Sequence, residues 1–227
     1  RSLTINNRGA DMAIEIHTIV SMPFAENTYI VWEGGRTDAL VIDPGLEPDA
    51  ILDFLDEREL TAAAILNTHG HADHIAGNEA MKARFPYAPL VIGVSETALL
   101  ADPNLNMSAP FGLPLTSPPA DRTVTAGESI ALAGLELEVR EIPGHSPGHV
   151  VYIVRPERTI VFGGDVLFRG GIGRTDFPGG SFETLEAGIR RDLYTLADDA
   201  VVYPGHGPTT TIGHEKRTNP FVSAGPG

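Results

Sequence analysis

The sequence predicts an α/β fold in which two packed sheets carry helices on their outer faces. Short runs rich in Val, Ile, Tyr and Trp alternate with amphipathic stretches. Their order splits into two similar halves, each a group of strands followed by helical units. No linker divides the chain and no repeat at solenoid spacing runs along it. Apolar runs repeatedly end in a turn that delivers a His or an Asp. At 227 residues the chain can bury one large core. Residues 12–227 are therefore expected to form a single domain. Residues 1–11, polar and aperiodic before Met12, read as a leader outside the fold.

Residues 14–21, 27–33 and 39–43 have strand composition, and Gly34-Gly35 turns the second into the third. Asp43-Pro44-Gly45 ends the third strand. Pro48 then suits the first turn of a helix with Ile51, Leu52 and Leu55 on one face. Residues 62–66 form a short buried strand. Residues 75–85 follow as a helix, with Pro86 just past its end. Residues 89–93 read as a strand and 95–100 as a short helix capped by Ser95. Residues 102–122, rich in Pro, Asn, Ser and Gly, read as a long surface loop that either borders a substrate groove or merely connects. Residues 129–132 and 135–142 make a hairpin about Ala133-Gly134. Strands at 150–154 and 159–162 follow. A helix over 181–196 carries Phe182, Leu185, Ile189, Leu193 and Leu196 on one face and Ser181 at its cap. Residues 200–203 are the last strand. About one turn of structure is expected after His206.

Composition narrows the chemistry. There is no cysteine, which excludes disulfides, thiolate metal sites and a Cys nucleophile. A net charge of -14 disfavours nucleic acid and anionic lipid as partners. No apolar run approaches the roughly 20 residues that span a bilayer. No secretory signal is evident, so a cytoplasmic location is the expectation.

The chemistry concentrates in Thr68-His69-Gly70-His71-Ala72-Asp73-His74. On an extended turn, His69 and His71 share a face and can reach one cation. Asp73 and His74 sit where a helix begins and can face a second cation. Each group lacks a ligand. His145, in Pro143-Gly144-His145, and His206, in Pro204-Gly205-His206, are the right type to complete them. Asp165, in Gly163-Gly164-Asp165, has two oxygens with which to bridge. Unpaired His and Asp packed together at strand ends would be costly without a cation. Gly144, Gly164 and Gly205 would let the backbone approach a crowded site. His17, His149 and His214 read as ordinary surface or core side chains. Imidazole and carboxylate ligands suit two divalent ions, Zn2+ first, with Fe or Mn also compatible. Such a pair, roughly 3.5–4 Å apart, lowers the pKa of a bridging water towards about 7, making a hydroxide nucleophile.

The His-x-His-x-Asp-His stretch, with the later His, Asp and His each after a strand, resembles the metallo-β-lactamase superfamily. The motifs run from Asn27 to Phe221. The resemblance implies an αββα four-layer sandwich with a dinuclear site at one edge. His69, His71 and His145 would then hold the first metal, Asp73, His74 and His206 the second, and Asp165 would bridge. Gly173-Arg174-Thr175-Asp176-Phe177, Pro204-Gly205-His206-Gly207-Pro208 and Lys216-Arg217-Thr218-Asn219-Pro220-Phe221 resemble the short glyoxalase II-like hydrolases, also called hydroxyacylglutathione hydrolase-like.

That likeness implies hydrolysis of an S-acyl-glutathione thioester, such as S-D-lactoylglutathione, by a metal-bridging hydroxide. Asp73 would orient the hydroxide or accept a proton. Full-length glyoxalase II supplies basic glutathione contacts from a C-terminal helical domain. This chain ends soon after His206, so Arg174, Lys216 and Arg217 become the candidate substrate contacts. The alternative is a persulfide dioxygenase, which shares the Gly-Arg-Thr-Asp-Phe element and would use one iron on His69, His145 and Asp165. Pro-Gly-His-Gly around His206 favours the hydrolase.

Overall fold

A computed structural model describes residues 13–155 and 157–223. The expected residue 1–11 leader lies outside them. Two six-stranded sheets stack face to face. The first runs β1 (Ile14–Ser21), β2 (Glu26–Glu33), β3 (Asp38–Ile42), β4 (Thr61–Leu66), β5 (Leu90–Gly93) and β6 (Arg122–Val124), in that spatial order. The second contains β7 (Ser129–Leu132), β8 (Leu135–Glu141), β9 (Val150–Val154), β10 (Ile160–Gly164), β13 (Val201–Pro204) and β14 (Thr210–Thr211). Its spatial order is β14-β13-β10-β9-β8-β7. A small hairpin, β11 (Leu167–Phe168) and β12 (Gly171–Ile172), stands apart from both sheets.

Strand periodicity builds the four layers. Successive strand residues face opposite sides, so one strand can feed two cores. Tyr29, Val31, Leu40 and Ile42 face the other sheet and meet Val139, Val150, Tyr152 and Phe162. Their alternates Ile30, Trp32, Ala39 and Val41 face outward. There they pack on Ile51 and Leu55 of α1 (Pro48–Glu57) and Met81 of α3 (Asn78–Arg84). On the far side Val151, Ile153, Val161 and Val202 pack on Leu185, Ile189 and Leu193, which lie in α5 (Phe182–Gly188) and the π-turn that extends it. Ile212 of α6 (Ile212–Thr218) joins that layer. This is the αββα sandwich expected from the sequence.

The differences from expectation have local causes. The helix expected at 75–85 is broken into α2 (Ala72–Ile75) and α3. The break is at Gly77, whose N–H donates to Pro44 O at 2.8 Å; a Cβ there would press on Pro44 and Gly45. Ser95 caps no helix. It lies in a 3-10 turn, Val94–Glu96, and Glu96 is the residue preceding α4 (Thr97–Ala101). After His206 there is more than one turn: β14 closes the second sheet and α6 follows, capped by Thr211. Strand β6 was hidden by the end of the Pro-rich loop, and β11 and β12 are too short to show a period.

The loop at 102–121 has no helix or strand, yet it is anchored. Asn106 is buried, its side-chain amide donates to Leu99 O and Leu115 O, and its carbonyl accepts from Ala72 N at 2.8 Å. This loop therefore packs against the His-rich segment. Among the described residues no helix is long and apolar enough to cross a membrane.

Candidate metal centre

Ligand-capable side chains leave the sheets at one edge. The segment after β4 carries His69 to His74, the turn after β8 carries His145, and Asp165 and His206 follow β10 and β13. The strand pairs β3/β4 and β10/β13 are parallel, so their carboxyl ends coincide there, where α/β sheets present their sites. Hydrogen bonds between the two sheets knit them together at this edge. Asn27 N donates to Gly205 O at 2.7 Å and Tyr29 Oη to Pro204 O at 2.6 Å.

The seven side chains form two groups. Ligand atoms of His69, His71 and His145 lie within 4.8 Å of one another, and so do those of Asp73, His74 and His206. Asp165 stands between. Its Oδ1 is 3.4 Å from His74 Nε2, and its Oδ2 is 3.5 Å from both His145 Nε2 and His206 Nε2.

The outward nitrogens determine which way the imidazoles point. His145 Nδ1 donates to Arg174 O at 2.8 Å, His206 Nδ1 to Phe24 O at 3.1 Å, and His74 Nδ1 to Asp43 Oδ2 at 3.1 Å. Each Nε2 is thereby turned into the cluster. His145 Nε2 faces His71 Nδ1 at 2.9 Å and His69 Nε2 at 3.3 Å. Such outer hydrogen bonds orient metal-binding histidines.

Electrostatics fit a cation in both groups. Burial holds His69 and His145 below the ordinary imidazole range and pushes His71 down to about 3, so this trio is neutral and offers lone pairs. In the other group burial opposes charge on His74, but the Asp73 and Asp165 carboxylates outweigh it and push His74 well up. His206, half-buried, is raised to about 10 by hydrogen bonds to Asp165 and Asp73, against the effect of its partial burial. The carboxylates thus demand positive charge at the Nε2 positions. Two of the facing atoms, His74 Nε2 and Asp165 Oδ1, are buried without a hydrogen-bond partner among the described residues. The donor set, imidazoles and carboxylates without sulfur, suits borderline divalent ions such as Zn2+, Fe2+ or Mn2+.

Three polar residues with no assigned role in the sequence reading support this centre. Asp43 accepts from Thr68 N and Thr68 Oγ1, both at 2.7 Å, as well as from His74. Its atoms also lie near His69 and His74 as a third ligand-capable group, but these hydrogen bonds already occupy both oxygens. The buried Glu96 ties two ligand loops together, accepting from Gly70 N at 2.8 Å and Gly148 N at 2.6 Å. His149 is buried, stacks on His69 and accepts from Asp165 N through Nε2 at 3.0 Å. Asp43 had a signal: like Asp165, it is an acid directly after a buried strand. Glu96 had none, because its partners are backbone amides far away in sequence.

The metallo-β-lactamase superfamily profile matches residues 22–206. The chain belongs to that superfamily. Hydroxyacylglutathione hydrolase GloC of Haemophilus influenzae is 39% identical over 216 residues, covering 94% of this chain and 99% of that protein. Among solved structures, the BLEG-1 B3 metallo-β-lactamase superposes with a TM-score of 0.88 at 38% identity, covering 92% of this chain and 99% of its own. A di-iron-bound form of TTHA1623 superposes with a TM-score of 0.78 at 34% identity, covering 90% and 99%.

Within this metallo-β-lactamase fold, a cleft opens over the ligand edge, with Phe24, Met107, Phe111, Arg174 and Phe177 among its walls. Arg174 pairs with Asp176 at 2.7 Å and lies 3.9 Å over the Phe177 ring. Lys216 and Arg217 are elsewhere: both pair with Asp198, Lys216 also donates to Leu196 O, and neither lines the cleft. Of the three basic candidates, Arg174 alone borders the centre.

Glycine geometry also serves it. Gly144 and Gly164 have φ of +123° and +46°, and a Cβ on Gly205 would collide with Asp165 Oδ1 and His74. Gly205→Ala is expected to weaken metal binding about 10–100-fold, the range for disturbed ligand support. Chelator competition checks it, and unchanged affinity would show that the edge can relax.

Proposed function

We propose that this protein is a dinuclear metal-dependent hydrolase of thioesters, with S-acyl-glutathione as the substrate class. The observation that carries the reading is Asp165, one carboxylate whose two oxygens reach histidines of both groups. His69, His71 and His145 would hold one ion, Asp73, His74 and His206 the other, with Asp165 between them. Bound divalent ions supply Lewis acidity and a water acidified to near-neutral pKa.

The chain's own residues do the rest. Asp43, Arg174 O and Phe24 O fix the imidazole orientations, so little reorganisation is needed at the moment of reaction. Asp73, about one-fifth exposed at the cleft floor, is the carboxylate placed to orient the attacking water or take its proton. Water adds its oxygen to the acyl carbon, the C–S bond breaks, and acid and thiol leave. A thiolate departs readily, so no strong general acid is required. The similarity to hydroxyacylglutathione hydrolase GloC supports the thioester reading.

The test is metal analysis of purified protein alongside assays with S-D-lactoylglutathione, a β-lactam and glutathione persulfide. Two metals per chain with thioester turnover are expected. Chelation should abolish turnover and Zn2+, Fe2+ or Mn2+ should restore it. One iron with oxygen uptake on persulfide, or β-lactam turnover without thioester turnover, would overturn the proposal.

A further inference from the structure

The cleft continues into a side groove that carries no cation. Its lining comprises Phe24, Leu46, Phe111, Leu113 and Leu115, together with Ala72, Ser108 and Asp73 at the metal edge. Phe24 and Phe111 meet edge to face at 5.7 Å, forming a shared wall of cleft and groove. Phe111 is 54% exposed and Leu113 is 58% exposed. Large apolar side chains gathered at the mouth of a polar centre mark a binding surface rather than packing.

Charge decides what part of a substrate lies there. Asp73, at the metal edge, is the groove's one charged lining residue, and no Lys or Arg lines the groove to hold an anion. Arg174 borders the main cleft and is absent from the groove lining. A glutathione thioester has an anionic thiol portion and a variable acyl portion. The thiol portion therefore suits the Arg174 side, and the groove suits an acyl group with no charge.

We infer that the groove of Phe24, Leu46, Phe111, Leu113 and Leu115 is an acyl subsite, and that the preferred substrates carry apolar acyl chains longer than lactoyl. This rests on the thioester reading and deepens it. The reaction is the hydrolysis already described: the acyl carbon gains the water oxygen, the sulfur leaves with a proton, and a fatty or aryl acid is released. Loop 102–121 becomes the specificity element. Anchoring through Asn106 holds its backbone while Phe111 and Leu113 face the substrate path.

Binding of non-hydrolysable thioethers separates this inference from the activity. Calorimetry of the metal-loaded protein with S-methylglutathione and S-hexylglutathione is expected to give a Kd at least about tenfold lower for the hexyl compound. That is below the limit of about fourfold per fully buried methylene, as an open groove requires. Leu113→Ser should shrink the ratio to about threefold or less, and Phe111→Ala should shrink it in the same direction. Turnover of acetyl-, butyryl- and hexanoyl-glutathione should rise in kcat/KM along the series. Equal Kd values for the two thioethers, or binding of neither, would overturn the acyl subsite. So would a wild-type dimer that dissociates in Leu113→Ser, since a second copy would then cover the groove. Chain-length-dependent binding with no thioester turnover would keep the subsite and overturn the hydrolase reading instead.

Discussion

Asp165→Asn is expected to lower thioester kcat/KM by about 10²–10³-fold and to reduce bound metal below two per chain. Losses of this size follow when a preorganised electrostatic element is removed from a catalytic centre. The reason lies in the two oxygens. Oδ1 reaches His74 and Oδ2 reaches His145 and His206, all at 3.4–3.5 Å. An amide keeps the shape but replaces one oxygen with an N–H donor and removes the negative charge that the cations and imidazoles share. His149 would still accept from the backbone N–H of residue 165, so the loop should stay in place. Metal analysis and steady-state kinetics on the same preparation check the prediction. A variant that keeps both metals and loses less than tenfold in kcat/KM would remove Asp165 from its bridging place.

Asp43→Ala is expected to destabilise the metal-free protein by about 3–5 kcal/mol, the range for breaking a buried charged pair by deleting one partner. Asp43 is buried, and its carboxylate satisfies Thr68 N, Thr68 Oγ1 and His74 Nδ1. Alanine leaves all three donors without an acceptor in a place that water does not fill cheaply. Residue 43 also has φ of +49°, a left-handed conformation that Asp tolerates better than Ala. Urea denaturation in the presence of chelator isolates this effect from metal linkage. A loss below about 1 kcal/mol would show that the three donors find other partners. Metal affinity should fall as well, about 10–100-fold, because His74 loses the group that orients it.

These two residues differ in how far the sequence revealed them. Asp165 announced itself: an acid after an apolar run and two glycines, matching the other ligand turns. Asp43 sat in the same kind of place but beside Pro44-Gly45, where an Asp is equally well explained as a turn residue. The hydrogen bonds that set it apart come from Thr68, 25 residues away. They form because β3 and β4 pair in parallel, which brings the residues beyond their ends together. The helix expected at 75–85 failed for a related reason. Its apolar spacing was helical on both sides of Gly77, but the close approach of Pro44 and Gly45 to that glycine is a tertiary fact.

What the chain determined unaided was the kind of structure and the kind of chemistry. Strand and helix periods are written in neighbouring residues, so alternating burial and the hairpin at Ala133-Gly134 could be read directly, while the four layers came with the family resemblance. Ligand type is likewise local, and a dense His-x-His-x-Asp-His run needs no partner to suggest a cation. Tertiary structure decided what depends on distant segments meeting. It gave Glu96 the amides of Gly70 and Gly148, committed Lys216 and Arg217 to Asp198, and placed Arg174 alone at the cleft. It also turned an aperiodic Pro-rich loop into one wall of an apolar groove beside Asp73. A side chain's chemical type is carried by its own residue, but its partner is chosen by packing, and substrate specificity lies with the partners.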